Sequence, residues 1–373
     1  MKPDGNNVEG SEVPKNIVKK KPKKTAILFI LLILIIFDVL FAQFFKLISQ
    51  HKENDEKKYR VKSDIYHHGL SPLKSVYRAQ WGQILYTVHT NSLGFKDKAP
   101  IEVELSTDDY RLIFIGDSFT EGIGLSYEKT FVGLIDQELT KFNIEVLNSA
   151  VVSYSPIIYF TKIKHFIEDI DLRFDELVVF IDISDIQDDA INYALDENNS
   201  VVLNHALISQ EKNEAIIWFQ SMKNFLKNNS LIFKSIALFK NPIKKSYPLN
   251  QRRSLWTIRE DIYEDWGKLG LKKSRHYMNK LHSLLDKYGI RLTIAVYPWP
   301  DQIFYNDEDS IQVRFWRGWA AERNVDFINY FAVFMTGEKY DILDKYYLVG
   351  DGHWNEAGHR RVAEHFLQYY KTR

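Results

Sequence analysis

Three residues near opposite ends of the chain could together perform nucleophilic catalysis: Ser118, Asp351 and His353. A serine hydroxyl is a weak nucleophile at its own pKa, so it needs a base to take its proton and an acid to orient that base. This trio supplies one group of each kind. It predicts acyl transfer through a serine ester, in which Ser118 attacks, His353 moves the proton and Asp351 orients His353. Asp344, upstream of the same loop, is the reserve candidate for the acid.

The position of Ser118 in the sequence supports this role. The apolar run at residues 112–115 stops at Gly116-Asp117-Ser118, as a buried strand does at the carboxyl edge of a parallel sheet, where ligands bind. Gly116 allows a tight turn. A helix that begins near Phe119 would direct backbone N–H groups at the atom that Ser118 attacks. Taken alone, the Gly-Asp-Ser triplet could be only a helix N-cap. The acid and the histidine near the C-terminus favour the catalytic interpretation.

The acid and the base share a glycine-rich loop at residues 349–353, which runs into an amphipathic segment at residues 360–370. Both blocks resemble those of the SGNH (GDSL-type) hydrolases, a family named for a Ser, a Gly, an Asn and a His. Residues 116–122 match the first block. Residues 351–355 match the last block, in the form seen in the subgroup that includes alginate O-acetylation proteins. The resemblance covers residues 105–373 and implies a three-layer, flavodoxin-like fold.

The two middle blocks of that family depart from its pattern here. The second-block Gly should fall within residues 148–156, which contain no Gly, and the third-block Asn within residues 181–185, which contain no Asn. Stabilisation of an oxyanion needs hydrogen-bond donors rather than particular residues. The predicted donors are the N–H of Ser118, the N–H of Ala150 or Ser153, and the hydroxyl of Ser184. The predicted mechanism requires no metal and no organic cofactor.

Residues 106–373 alternate between short apolar runs typical of strands and segments with helical periodicity. This alternation predicts an α/β domain with a parallel sheet of about five strands and helices on both faces. The predicted strands are residues 111–115, 145–147, 177–181, 292–296 and 325–328, and the predicted helices are residues 131–142, 159–170, 277–287 and 311–323. A long insertion at about residues 188–273, with an amphipathic helix at 214–226, interrupts this alternation. We expect a largely helical cap over the site, with a peripheral packing insert as the alternative.

The N-terminal part of the chain predicts a membrane anchor. Residues 1–24 form a basic tail, and residues 25–45 contain one charge, Asp38. As a helix this segment would extend about 31 Å, the thickness of a bilayer core. A single-pass signal anchor with a cytoplasmic N-terminus and an outer catalytic domain is favoured over a cleaved signal peptide or a buried helix. Asp38 is expected to face a partner helix of a membrane protein or the far interface.

Residues 46–105 are interpreted as a charged juxtamembrane linker followed by a hairpin or lid that packs on the catalytic domain. His67 and His68 lack a nearby third metal ligand, and His359 is expected to face solvent. Four aspartates near a strand end match no cation-binding loop and are expected to cap a helix and bond the active-site turn: Asp182, Asp185, Asp188 and Asp189.

The composition limits the remaining classes of function. The net charge is zero and the pI is near 7.2, which gives no support for a nucleic acid as partner. The absence of cysteine excludes disulfides, thiolate catalysis and thiolate metal sites. The predicted substrate is an O-acyl ester, preferably O-acetyl, on cell-envelope carbohydrate or another small molecule. Water as acceptor makes an esterase, and a sugar hydroxyl makes an O-acetyltransferase. A non-catalytic scaffold is the contrasting class.

Overall fold

The computed structural model describes residues 59–82, 84–204 and 247–373, together with Phe29 and residues 32–34 and 36–41. The residues described between 29 and 41 belong to one compact unit, and those from 59 onward belong to a second, larger unit. The basic tail, most of the juxtamembrane linker and the predicted helix at 214–226 lie outside the described residues, as do parts of the predicted anchor at 25–45.

In the first unit, every described residue is helical, and large apolar side chains such as Phe29 and Phe37 are exposed. Across the described parts of the chain, no helix combines the length and the apolar character needed to cross a bilayer.

The larger unit is built on one central sheet and two small two-stranded sheets. In chain order the strands are β1 (Arg60–Ser63), β2 (His67–Leu70), β3 (Ser75–Trp81), β4 (Ile84–Thr90), β5 (Lys96–Asp97), β6 (Tyr110–Ile115), β7 (Ile144–Asn148), β8 (Glu176–Ile181), β9 (Tyr193–Leu195), β10 (Val201–Leu203), β11 (Arg291–Val296) and β12 (Asp326–Asn329). The helices are α1 (Ser118–Glu121), α2 (Phe131–Leu139), α3 (Pro156–Glu168), α4 (Asp185–Gln187), α5 (Glu260–Ile262), α6 (Lys268–Lys287), α7 (Pro300–Phe304), α8 (Ile311–Ala321), α9 (Phe331–Phe334), α10 (Lys339–Tyr346) and α11 (Glu356–Thr372).

The central sheet has eight strands in the order β12-β11-β8-β6-β7-β5-β4-β3. The first five of these are mutually parallel, so the prediction of a five-stranded parallel sheet is confirmed. Taken in chain order, they follow the 2-1-3-4-5 pattern of flavodoxin-like folds, and the chain reverses direction across the sheet between β6 and β8. The strands β5, β4 and β3 continue the sheet antiparallel beyond β7, which the sequence did not predict.

Helices cover the sheet in two layers. The C-terminal α11 packs on α2, and α6 packs on α3. Because parallel connections are right-handed, the pair α2 and α11 and the pair α3 and α6 lie on opposite faces. The strands β6 and β8 are therefore buried on both sides, which explains their continuous apolar sequences. The predicted helices in this part of the chain are confirmed, with ends that differ by up to three residues, except that α6 begins at Lys268, nine residues before the predicted start at 277.

His359 is buried in the α2–α11 contact, and the expectation that it faces solvent was wrong. The first N–H groups of a helix lack intrahelical partners. At the start of α2, the N–H of Phe131 donates to His359 Nδ1 at 3.1 Å, and the two rings stack. Burial lowers the pKa of His359 to about 3, so the ring stays neutral and Nδ1 remains an acceptor.

The described part of the insertion contains more than the predicted helices. It begins with a helical turn at Asp188–Asn192 and the β9–β10 hairpin, and it resumes at Tyr247 with a loop, the short α5 and the start of α6. Pro248, Gln251 and Arg253 from that loop lie beside Ser118. The described part of the insertion therefore contributes residues to the cavity, and its role as a cap stays a prediction.

Candidate active site

Ser118 lies at the N-terminus of α1, one tight turn after β6, at the edge where the sheet order reverses. Gly116 is needed in that turn, because a Cβ atom there would lie 2.3 Å from Thr120 Oγ1 and 2.9 Å from the Phe180 carbonyl oxygen. Asp117 caps α1 by accepting the N–H of Phe119 at 3.0 Å. The strand thus presents Ser118 at the carboxyl edge of the sheet, as the sequence predicted.

Ser118, His353 and Asp351 form a continuous hydrogen-bonded chain. Ser118 Oγ lies 2.8 Å from His353 Nε2, and His353 Nδ1 is in short contact with Asp351 Oδ1. An ionised carboxylate only accepts, so Nδ1 carries the ring proton and Nε2 presents its lone pair to the serine hydroxyl. Asp117 Oδ2 offers that hydroxyl a second acceptor at 3.1 Å. The three predicted residues therefore have the relation of nucleophile, base and orienting acid.

Asp351 is fixed by more than the imidazole. Its Oδ1 also accepts the backbone N–H of His353 at 2.9 Å, and its Oδ2 accepts the indole N–H of Trp81 at 2.7 Å. Burial tends to raise the pKa of Asp351, but the hydrogen bonds and charge of His353 and the bond from Trp81 outweigh it and lower the pKa to about 2. The carboxylate therefore stays ionised. The reserve acid, Asp344, instead accepts the hydroxyl of Tyr247 at 2.6 Å.

A cavity of about 350 Å³ opens in front of Ser118. Residues from distant parts of the chain line it, among them Trp81 from β3, Arg253 from the insertion and Trp299 before α7. The Arg253 guanidinium lies 5.5 Å from the centre of the Trp299 ring and pairs with Asp188 at 3.3 Å. No sequence pattern indicates that Trp81 and Trp299 belong to the site, because only tertiary contacts bring them there.

Two residues that line this cavity supply candidate backbone donors. The N–H groups of Ser118 and Ser153 have no acceptor among the described residues. Ser153 has φ +62°, the left-handed conformation that glycine adopts most readily. The segment at residues 148–156, where the SGNH family has its second-block Gly, thus places Ser153 in a backbone conformation typical of glycine.

The other two predicted oxyanion donors have different outcomes. The N–H of Ala150 donates to Asn148 Oδ1 at 3.2 Å, and Ala150 is fully buried. The prediction of Ala150 as an oxyanion donor was therefore wrong. Ser184 lines the cavity, and its hydroxyl is buried without a partner among the described residues. A buried hydroxyl without a partner costs free energy, which an oxyanion in the cavity would recover.

Beneath the cavity, carboxylate oxygens of Asp117, Asp182 and Asp185 lie within 4.8 Å of one another. Each carboxylate accepts from a protein donor: Tyr297 bonds Asp117 at 3.1 Å, Trp299 bonds Asp182 at 2.6 Å and Tyr159 bonds Asp185 at 2.7 Å. The other oxygen of Asp185, Oδ1, is buried without a partner among the described residues. Burial raises the pKa of Asp117 and of Asp185, and the neighbouring carboxylates raise both further.

Asp182 and Asp185 bond backbone groups of the turn after β8, but α4 has no side-chain cap, so the expected capping role is not found there. Asp182 accepts the N–H of Ser184 at 2.6 Å, and Asp185 accepts the N–H of Asp182 at 3.0 Å. The two other aspartates of the set bond elsewhere: Asp188 pairs with Arg253, and Asp189 accepts the hydroxyl of Ser155 at 2.7 Å.

Comparison with known proteins gave matches only among solved structures. No protein-family model matches the chain, and no curated protein matches it. A lipolytic protein of the G-D-S-L family from Desulfitobacterium hafniense is 12% identical over 70% of this chain and 99% of its own, with a TM-score of 0.38. A GDSL-like lipase from Bacteroides thetaiotaomicron is 12% identical over 72% and 92%, with a TM-score of 0.38.

A catalytic mutant of an acetylxylan esterase from Geobacillus stearothermophilus is 14% identical over 71% of this chain and 95% of its own, with a TM-score of 0.39. The likeness of the last block to alginate O-acetylation proteins stays a prediction.

Proposed function

We propose that this chain is a serine esterase of the SGNH type that removes O-acyl groups, with O-acetyl groups favoured. One observation carries the proposal: the hydrogen-bonded chain from Asp351 through His353 to Ser118 ends at a cavity lined by unpaired donors. Nucleophile, base, orienting acid and oxyanion donors are the complete requirement for acyl transfer through a serine ester.

The reaction would proceed in two halves. Ser118 Oγ bonds to the ester carbonyl carbon while its proton moves to His353 Nε2. The carbonyl oxygen becomes an oxyanion between the N–H groups of Ser118 and Ser153 and the hydroxyl of Ser184. Collapse of this intermediate breaks the ester C–O bond, and the leaving alcohol takes the proton from His353. Water then attacks the acyl-serine with His353 as base, and the acid and free Ser118 are released.

The cavity suits a carbohydrate alcohol with a small acyl group. The indole N–H of Trp81 bonds Asp351, and that of Trp299 bonds Asp182, so both ring faces are held in fixed orientations at the cavity. Aromatic faces pack against the apolar faces of sugar rings, and Gln251 and Arg253 add polar groups on the insertion side. A volume of about 350 Å³ accommodates a sugar unit with an acetyl group.

The proposed location is the outer face of a membrane, with residues 25–45 as the anchor and Asp38 as the point where a membrane protein could contact it. The sequence of this segment and the exposed apolar side chains of its described residues, such as Phe37 at 68%, support this part of the proposal. Acylated cell-envelope carbohydrate would then be the nearest substrate. Transfer to a sugar hydroxyl instead of water would use the same steps.

The test measures turnover of 4-nitrophenyl acetate by the full-length protein in detergent. We expect Ser118→Ala to lower kcat/KM by about 10⁴-fold or more, because the covalent step is removed. Ser75→Ala is the matched control, since Ser75 is exposed on β3 and its hydroxyl bonds only His89 among the described residues. Addition of an unacetylated polysaccharide separates the two acceptors: acetate release indicates an esterase, and acetylated polymer indicates a transferase. Wild-type turnover by Ser118→Ala would exclude the serine ester mechanism.

A further inference from the structure

The loop after β7 is held at three backbone groups by side chains from other elements. The N–H of Val152 donates to Glu121 Oε2 at 2.7 Å, and the carbonyl of Val152 accepts from His68 Nε2 at 2.7 Å. The carbonyl of Ser153 accepts the hydroxyl of Tyr193 at 3.1 Å. Val152 and Ser153 line the cavity in front of Ser118.

The bond from His68 determines the direction of the next N–H group. The carbonyl of Val152 and the N–H of Ser153 belong to one planar trans peptide, so they point in opposite directions. With the carbonyl held by His68, the N–H of Ser153 points away from His68. This N–H has no acceptor among the described residues. The φ of +62° at Ser153 is one that a non-glycine residue keeps only where its surroundings impose it.

His68 is itself held as a donor. A carbonyl only accepts, so Nε2 of His68 must carry the proton, and its Nδ1 then accepts from Nδ1 of His67 at 2.7 Å. The ring of His68 packs edge-on against Tyr154, and that of His67 against Tyr193. Burial lowers the pKa of His68 to about 4, which keeps the ring neutral.

Glu121 connects this loop to the helix of the nucleophile. It is the last residue of α1, which begins at Ser118, and its carboxylate is buried. Arg60 from β1 pairs with both carboxylate oxygens, at 2.8 and 3.1 Å. Burial tends to raise the pKa of Glu121, but the charge and hydrogen bonds of Arg60 outweigh it, so the pKa lies below the ordinary glutamate value. The carboxylate therefore remains an acceptor for the N–H of Val152.

We infer that His68 is a positioning residue, which holds the Val152–Ser153 peptide so that the N–H of Ser153 serves as an oxyanion donor. Glu121 holds the preceding peptide. The inference rests on the proposed function, because it concerns the oxyanion of that reaction. A donor aimed at charge that develops in the transition state affects kcat rather than substrate binding.

The test compares two replacements of His68 in the full-length protein in detergent. His68→Leu keeps an apolar side chain of moderate size but has no donor, and His68→Gln places an amide N–H at a similar reach. We expect His68→Leu to lower kcat by about 100-fold, the lower end of the effect of a lost oxyanion donor, with KM changed less than about twofold. His68→Gln should keep kcat within about fivefold of wild type. His89→Ala is the control, because His89 bonds Ser75 and does not line the cavity.

A tetrahedral analogue gives a readout that a purely structural role would not change. The inhibition constant of phenylboronic acid, which forms a tetrahedral adduct with a reactive serine, should rise in His68→Leu by about the same factor as kcat falls. An unchanged kcat in folded His68→Leu, or a change in KM alone, would overturn the inference.

If His68→Leu does not fold, the test rests on His68→Gln. A loss of kcat beyond tenfold in His68→Gln, which retains a donor, would also overturn the inference. If Ser118→Ala keeps wild-type turnover, the proposed function has failed rather than the role of His68.

Discussion

Asp351 is separated from His353 by a single residue, and its side chain folds back onto that histidine. Oδ1 accepts both the backbone N–H and the ring Nδ1–H of His353, while Oδ2 accepts from Trp81. The local turn is held by the N–H of Leu348, which donates to the carbonyl of His353 at 2.8 Å. The short spacing between acid and base is therefore compatible with the orienting role, because backbone and ring are bonded by the same carboxylate oxygen.

Replacement of Asp351 by Asn tests that role. The amide keeps the size of the side chain, but its N–H can donate to His353 Nδ1. This favours the tautomer whose ring proton is on Nε2, and a protonated Nε2 cannot accept the proton of Ser118. We expect Asp351→Asn to lower kcat on 4-nitrophenyl acetate by about 10³-fold to 10⁴-fold with little change in KM. Asp344→Asn is the matched control and should stay near wild type, because Asp344 bonds Tyr247.

The opposite result would change the assignment. A crippled Asp344→Asn enzyme together with a mildly affected Asp351→Asn enzyme would show that Asp351 only shapes the loop. The acid of the site would then have to be Asp344, and the loop would have to rearrange in solution.

The sequence predicted the trio of Ser118, Asp351 and His353 because each residue type is needed by the chemistry and each lies at the end of a recognisable pattern. It predicted Ser153 and Ser184 only as alternatives for the oxyanion donors. The φ angle of Ser153 and the unpaired hydroxyl of Ser184 are properties of the fold, which the sequence does not reveal. Trp81 could not be predicted, because 270 residues separate it from Asp351.

Among the elements, the hairpin of β3 and β4 differs most from its expected role. The sequence predicts a hairpin or lid packed on the catalytic domain; the two strands do form an antiparallel hairpin, but this hairpin is the edge of the central sheet. Alternating apolar residues predicted the strands, but alternation does not identify the partner strand. The parallel strands were predicted more completely, since continuous apolar runs separated by helices have few alternative arrangements.

The hairpin also positions the acid of the site, because β3 ends at Trp81. Trp81→Phe keeps an aromatic ring but removes the N–H that bonds Asp351 Oδ2 at 2.7 Å. A hydrogen bond to a charged group contributes about 1.5 to 3 kcal/mol, so we expect kcat to fall by about tenfold or more.

The control for this prediction is Tyr77→Phe, which removes a hydroxyl from an exposed residue of the same strand. Both variants should keep a thermal unfolding midpoint within a few degrees of wild type. Equal kcat values for Trp81→Phe and Tyr77→Phe would show that β3 supports the sheet without positioning Asp351.

At the scale of the whole molecule, the proposal combines a domain suited to ester chemistry with an N-terminal segment that the sequence predicts to be a membrane anchor. The lysines of residues 15–24 precede the apolar segment, and positive residues are retained on the cytoplasmic side. The larger unit follows the segment, so a single crossing would place Ser118 outside. A substrate on envelope carbohydrate depends on this arrangement.

The absence of cysteine from the natural chain allows a direct test of that orientation. Tyr77→Cys introduces one thiol at a side chain that is 72% exposed in the larger unit, and Asn6→Cys introduces one in the basic tail. We expect a membrane-impermeant maleimide to label Tyr77→Cys in sealed cells, or in sealed spheroplasts of a cell with two membranes. Asn6→Cys should be labelled only after lysis, because the tail would be cytoplasmic. Labelling of Tyr77→Cys only after lysis would place the larger unit in the cytoplasm and remove envelope carbohydrate as its substrate, while leaving the serine ester chemistry at Ser118 untouched.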